Sequence, residues 1–347
     1  MAAPNVLTEA KNTIMPAMTA ALERLSPEIR RVIDYHMGWR DVDGRPVERR
    51  GSKSIRPALA LLSAQAAGGD PQEAVPGAIA VEFINNWAFL IDDVMDGDSF
   101  RRQRETAWVV FGEGQAICAS AALLNLGQQI LLESASPNRV AALTLVLQTV
   151  ERMLVGQTLD MTFEERSDVS IDESLVMTRS KTASLMRCAC SIGAVLVGGP
   201  PATIDLLGEF GECVGVAFQA RDDILGVWGF PPQTGGRPRG FDVRARKGTL
   251  PIVVGLQAGG TVGAELRTLR DKPELTDDDL DHSIRLIEQA GGLAWTRDLA
   301  RNSVDRALKL IRELPEEIHS PLATLAALGQ PDDVQTEPGH AASSTGR

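Results

Sequence analysis

"AIAVEFINNWAFLIDDVMDG", residues 78–97, decides how this chain folds. An apolar run leads straight into Asp92, Asp93 and Asp96. At the helical pitch, Asp92 and Asp96 share one face and Asp93 lies close beside them. Like charges four residues apart repel, weakly in water and more strongly where water is excluded. An acidic helix end on the surface and a built site are even readings for this cluster taken alone. A second stretch changes the balance. "VGVAFQARDDILGVWG", residues 214–229, again runs an apolar helix into an acidic pair, Asp222 and Asp223. Two such helices in one bundle bring their carboxylates face to face across a cavity, and facing carboxylates need a cation between them. Oxygen-only ligands suit magnesium, which completes its shell with water and substrate phosphate.

Outward from these two stretches the chain reads as helix. Apolar stripes of helical period run near 5–25, 28–39, 55–68, 73–97, 113–133, 138–164, 172–197 and 203–228. Weaker ones follow near 249–258, 262–271, 276–289, 292–313 and 317–328. No alternating strands or Asn-Gly hairpins stand out. The expected fold is all-α, a single large antiparallel bundle around an apolar cavity. "DGRPVERRGSKS" (43–54) and "GFPPQTGGRPRGFD" (229–242) read as loops, the second as a lid. One domain is expected over 1–328, with a polar, disordered tail over 329–347.

Composition narrows the function. The 347 residues carry a net charge of −11 and a single Tyr, which argues against a nucleic-acid surface. The four cysteines form no CxxC pair and read as reduced core residues in a cytoplasmic protein. No signal peptide and no run of membrane-spanning length is expected. His36, His282, His319 and His340 fall outside the acidic and basic clusters, so histidine acid–base catalysis has no support. The cations instead gather near the acidic stretches: Lys53 and Arg56 in "GSKSIRP", Arg101 and Arg102, Lys181 with Thr182 in "SKTAS", and Lys247 after the lid. A lone surface cation is usually just solvated. This placement favours a diphosphate, with arginine as a bidentate fork and lysine as a point charge.

From about residue 50 to about 255 the ordered motifs resemble those of the polyprenyl diphosphate synthase family of trans-prenyltransferases. "GSKSIRP" resembles GGKxxRP, and "DDVMDGDSFRRQRETAWVVFG" resembles the first aspartate-rich motif with its RR pair. "GQTLDMTF" and the Lys-Thr pair resemble GQxxD and KT, and "FQARDDILGVWG" the second aspartate-rich motif. The resemblance implies the isoprenoid synthase type I fold and a farnesyl or geranylgeranyl diphosphate synthase-like activity. It implies that Asp92, Asp93, Asp96, Asp222 and Asp223 hold Mg2+ on an allylic diphosphate. It implies that Arg101, Lys181, Thr182, Gln219 and Lys247 bind that diphosphate, and that Lys53, Arg56 and Arg102, with Asn85 nearby, bind isopentenyl diphosphate. It implies a homodimer by analogy. Gly226 stands where the second motif often has a further aspartate, and Phe230 where an acid is expected.

Chain length is expected to depend on Trp87 and Ala88, five and four residues before Asp92, about 7.5 and 6 Å down the helix axis. In the family an aromatic followed by a small residue there often goes with a twenty-carbon product, which favours geranylgeranyl over farnesyl diphosphate. Ordinary core packing of Trp87 is the serious competitor. A class I terpene cyclase or a non-catalytic partner subunit are the other two readings. The first lacks its asparagine/serine/glutamate metal triad in this sequence, and the second is disfavoured by two intact aspartate pairs.

Overall fold

A computed structural model describes residues 3–47 and 54–331 of the chain. Lys53 and the tail from 332 onward lie outside the described residues.

The fold is all-α, as expected. Its N-terminal half contains α1 (Ala3–Leu22), α2 (Pro27–His36), α3 (Ile55–Ala66), α4 (Val75–Met95), α5 (Ala107–Phe111), α6 (Glu113–Glu133) and α7 (Arg139–Glu164). Then come α8 (Ile171–Thr178), α9 (Ser184–Leu196) and α10 (Pro201–Trp228). The C-terminal part holds α11 (Pro231–Thr234), α12 (Phe241–Arg244), α13 (Leu250–Leu256), α14 (Gly260–Arg270), α15 (Asp277–Gln289), α16 (Gly292–Leu310) and α17 (Glu316–Ala327). Local chemistry sets several of these starts. Pro201 opens α10 at a position where its missing N–H costs nothing. A capping box at Ser170 and Glu173 opens α8, and one at Thr276 and Asp279 opens α15.

α4 is the axis of the bundle. It packs against α3, α6 and α9, and α10 packs against α9 and α16. From Gly77 to Trp87 every residue of α4 is buried, and the helix opens toward solvent only near its acidic end. A second apolar cluster, including Ile224, Trp228, Ile252 and Ile287, ties the end of α10 to α13 and α15.

The structure refines three expectations at the level of elements. Residues 171–196 are helical throughout, but a π-helical turn, Arg179–Ala183, interrupts the α-helical ladder between α8 and α9. The lid 229–242 contains α11 and the start of α12. A small hairpin joins β1 (Phe100–Arg101) to β2 (Arg104–Glu105). Its two-residue turn puts Arg102 and Gln103 at φ 53° and 63°, the left-handed region that side chains seldom adopt. Two helices, Pro71–Met95 and Glu113–Glu133, reach the length and mean hydropathy of a bilayer span by composition alone. In the first, 72% of the apolar window is buried in the protein, which is core; in the second only 39% is.

Candidate active site

A cavity of about 440 Å³ opens where the ends of α4 and α10, the π-turn, the hairpin and the lid converge. From α4 it takes Asn85, Ala88, Phe89, Asp92 and Asp96, which is one helical stripe. Trp87 is not on that stripe. It is 7% exposed and belongs to the main core, and its carbonyl accepts from Ser120 Oγ at 3.5 Å. The expectation that Trp87 forms the cavity floor is therefore corrected, because five residues from Asp92 turn it away by about 140°. Ala88 does line the wall.

The first acidic cluster divides. Asp92 and Asp96 face the cavity. Burial raises Asp92 to about 6, opposed by Lys181 at 3.9 Å and assisted by repulsion from Asp96. Asp93 turns the other way. Its Oδ1 accepts from Arg101 Nε and Nη2, both at 2.6 Å, and its other oxygen is buried without a partner. Arg101 also approaches Asp98 at 3.7 Å, and Asp98 is bound by Arg237 from the lid. Asp93 thus braces Arg101, whose guanidinium lies 4.5 Å from the centre of the Phe89 ring.

The second cluster stays together: Asp222 and Asp223 both line the cavity. Asp223 is buried and both its oxygens are taken: Gln219 Nε2 donates at 2.7 Å and the Leu250 amide at 3.1 Å. Burial pushes Asp223 up to about 8. It anchors Gln219 in this structure. Gln219 Oε1 in turn accepts from Thr182 Oγ1 at 2.5 Å, so Asp223, Gln219 and Thr182 form one chain into the cavity.

Arg56, Arg101, Arg102, Lys181 and Lys247 all line the cavity, and the two lysines have acidic partners, Asp160 and Glu164, that the sequence did not single out. Lys181 Nζ donates to Asp160 at 2.7 Å. Lys247 Nζ reaches Glu164 at 2.5 Å, Asp96 at 3.1 Å and Asp160 at 3.4 Å. Burial acts upward on Asp160, but the two lysines override it and hold its carboxyl low. Both ammoniums are held above their ordinary range by the same carboxylates, against the effect of burial. Burial lowers the Arg56 and Arg102 guanidiniums, and the Arg56 Nε is buried without a partner.

The largest omission is Asp242. It is 8% exposed, lines the cavity from the lid, and burial raises it to about 7. A Cβ on Gly226 would lie 2.7 Å from its Oδ1 and closer to its Oδ2. The Asp242 carboxylate thus fills the space that a side chain at 226 would take. Its only signal in sequence was an acid inside a Gly/Pro loop. His36 was also misplaced. It lines a neighbouring cavity with Arg101, Arg102 and Arg104, and its Nε2 is buried without a partner.

Among the described residues no three carboxylate, imidazole or thiol side chains close on a point as a cage. Asp92, Asp96, Asp222, Asp223 and Asp242 instead share one wall system around open space. Oxygen donors that leave part of the shell free fit a magnesium ion bound together with a diphosphate.

Residues 46–287 match the polyprenyl synthetase family. The chain is 40% identical over 313 residues to the (2E,6E)-farnesyl diphosphate synthase of Mycobacterium tuberculosis, covering 89% of this chain and 87% of that one. It is 35% identical over 327 residues to a geranylgeranyl diphosphate synthase of the same organism, covering 94% and 92%. The crystal structure of a polyprenyl synthetase from Streptomyces coelicolor superposes with a TM-score of 0.88 at 38% identity, covering 94% of this chain and 99% of that one.

Proposed function

The chain belongs to the polyprenyl synthetase family and is a trans-prenyl diphosphate synthase, and from that premise we propose that it joins isopentenyl diphosphate to an allylic diphosphate to make farnesyl diphosphate. The observation that carries the reading is the shared cavity, lined by Asp92, Asp96, Asp222, Asp223 and Asp242 together with Arg56, Arg102, Lys181 and Lys247.

Bound Mg2+ would supply Lewis-acid stabilisation of the departing diphosphate. The protein's own residues do the rest. A diphosphate entering the mouth competes with Asp160, Asp96 and Glu164 for the Lys181 and Lys247 ammoniums. Arg101, braced by Asp93, and Thr182, held by Gln219, contact the same diphosphate. Arg56 and Arg102, with Asn85 on the same cavity lining, serve the isopentenyl diphosphate; Lys53 is assigned there too, outside the described residues. The allylic carbon–oxygen bond breaks with both electrons leaving on diphosphate. The isopentenyl double bond then forms the new carbon–carbon bond, and a proton passes to the departed diphosphate. Phe89, Met153, Met177, Leu185 and Leu225 give the cation a wall without water.

Farnesyl diphosphate is the favoured product because Trp87, the aromatic expected to go with a longer one, packs in the core, and because of the 40% identity to the mycobacterial farnesyl diphosphate synthase. Geranylgeranyl diphosphate is the second reading, favoured by the small Ala88 in the cavity wall. A homodimer is supported by exposed apolar residues along α6 and α7. A cytoplasmic site is supported by four free cysteines, of which burial pushes Cys188 up to about 12.

The test is incubation of the purified protein with labelled isopentenyl diphosphate and, in turn, dimethylallyl, geranyl and farnesyl diphosphates, with magnesium and with chelator. A magnesium-dependent linear diphosphate is the expected product. A cyclised hydrocarbon, or no turnover with any primer, would move the assignment to a cyclase or to a non-catalytic subunit.

A further inference from the structure

Lys181 and Thr182 stand on the π-helical turn Arg179–Ala183, and two helices grip that turn in the same manner. From α7, Gly156 lies flat against the Lys181 backbone. A Cβ there would come 2.7 Å from Lys181 Cα and 2.8 Å from its Cβ, and closer to its backbone nitrogen. One helical turn further along α7, Asp160 accepts from Lys181 Nζ at 2.7 Å. From α10, Gly215 lies against Ala183, where a Cβ would come 2.5 Å from Ala183 Cα. One helical turn further along α10, Gln219 accepts from Thr182 Oγ1 at 2.5 Å. Each helix therefore offers a glycine seat for the backbone and, four residues later, a polar acceptor for the side chain. The atoms a new methyl would meet include backbone, which cannot swing aside. Glycine inside a helix lowers stability relative to alanine, so close approach is the gain that offsets it at both positions. π-turns gather at functional sites because the extra residue redirects side chains.

We infer that Gly156 and Gly215 are positioning residues that set how deeply the π-turn sits between α7 and α10, and so where Lys181 and Thr182 meet the substrate. This rests on the reading of Lys181 and Thr182 as ligands of the allylic diphosphate. It gives the glycines a selective signature. Arg56 and Arg102, on the isopentenyl side, are carried by α3 and by the hairpin, not by the turn. Lifting the turn harms recognition of one substrate and spares the other.

The experiment measures kcat, both Michaelis constants and the melting temperature for Gly156→Ala and Gly215→Ala in the full chain with magnesium, using geranyl diphosphate as primer. Three variants calibrate it. Gly127→Ala adds a methyl in ordinary contact, 3.5 Å from Ala80. Gly193→Ala forces α9 away from α3, with a Cβ 2.5 Å from Ser63 Oγ, outside the cavity. Lys181→Ala reports on the underlying assignment. The two turn variants are expected to raise the Michaelis constant for the allylic substrate roughly tenfold to a hundredfold, with that for isopentenyl diphosphate nearly unchanged. Gly193→Ala is expected to lower the melting temperature without that selectivity, and Gly127→Ala to do neither. If Lys181→Ala leaves allylic binding intact, the reading of the site fails. If Lys181→Ala weakens it while both turn variants keep wild-type constants, or raise both constants equally, the inference is overturned. Should either glycine variant fail to fold, Asp160→Asn and Gln219→Leu keep the seats and loosen the side-chain half. An equal change for both substrates in that pair overturns the inference as well.

Discussion

Gly226 shows how a missing residue in a motif misleads when the motif is read alone. The gap in the second acidic cluster looks like a lost ligand, and refilling it looks harmless. In the fold the space belongs to Asp242, whose Oδ1 is 2.7 Å from where a Cβ at 226 would be. An aspartate there meets a buried carboxylate already raised to about 7 by burial. Gly226→Asp is expected to cost roughly a hundredfold in turnover, because the lid carboxylate is displaced by about an ångström or more. The exchange Gly226→Asp with Asp242→Gly is expected to recover part of that loss, measured as initial rates at saturating magnesium. Near-normal rates in the single variant would show that Asp242 moves freely. His36 supports a prediction of another kind. Its folded-state pKa falls from 6.5 to about 3, first through burial and then through Arg102 and Arg101. A base depressed in the fold stays neutral there but takes a proton when the chain unfolds. Its contribution is therefore complete above 6.5 and is lost as pH falls toward 3. His36→Gln is expected to flatten the fall in unfolding free energy across that window by about one proton, measured by urea titrations at several pH values; parallel slopes would refute it.

At the scale of elements, the long helices were legible because their apolar periods are strong, and the acidic ends of α4 and α10 were legible because charge interrupts that period. Which carboxylates of the first cluster face the cavity was not, since Asp92 and Asp93 differ by one residue while the partner that holds Asp93 away, Arg101, comes from the hairpin. The π-turn was equally hidden: "RSKTA" carries no Gly or Pro to mark it, and it exists because Gly156 and Gly215 admit it from other helices. Asp242 could not be placed because a Gly/Pro loop has no period to read. The same distinction governs product length. Trp87 and Ala88 are neighbours in sequence but occupy the core and the cavity wall. Trp87→Ala is expected to cost about 3–5 kcal/mol of stability and leave the product distribution unchanged. Ala88→Phe is expected to shorten the product, since its ring enters the space beside Asp92. Chromatography of the products decides, and a longer product from Trp87→Ala would put the indole back in the path of the chain.

At the scale of the whole molecule, α7 has two faces with different tasks. One carries Met153 and Asp160 to the cavity. The other leaves Val140, Leu147, Leu154 and Met161 in solvent, 62%, 46%, 47% and 37% exposed. These residues recur every seventh position, the spacing of a helix seam that expects a partner. Beside it α6 exposes Ile117 and Leu132. Contiguous apolar surface of this sort marks an interaction site in a protein that has no other reason to expose it. The proposed occupant is a second copy of the chain, seated α7 against α7. On that arrangement, Leu147→Glu combined with Leu154→Glu places charge in the middle of the seam. The double variant is expected to sediment as a monomer at micromolar concentration, with its helical circular dichroism intact, and the wild type is expected to sediment there as a dimer. Its melting temperature is expected to fall and to lose its dependence on protein concentration, because association stabilises only the folded state. Turnover is expected to fall as well, since the helix whose outer face is then unsupported holds Asp160 against Lys181 on its inner face. A wild type that sediments as a monomer, or a double variant that remains a dimer, would remove α7 from the interface and leave its seven-residue stripe without a partner.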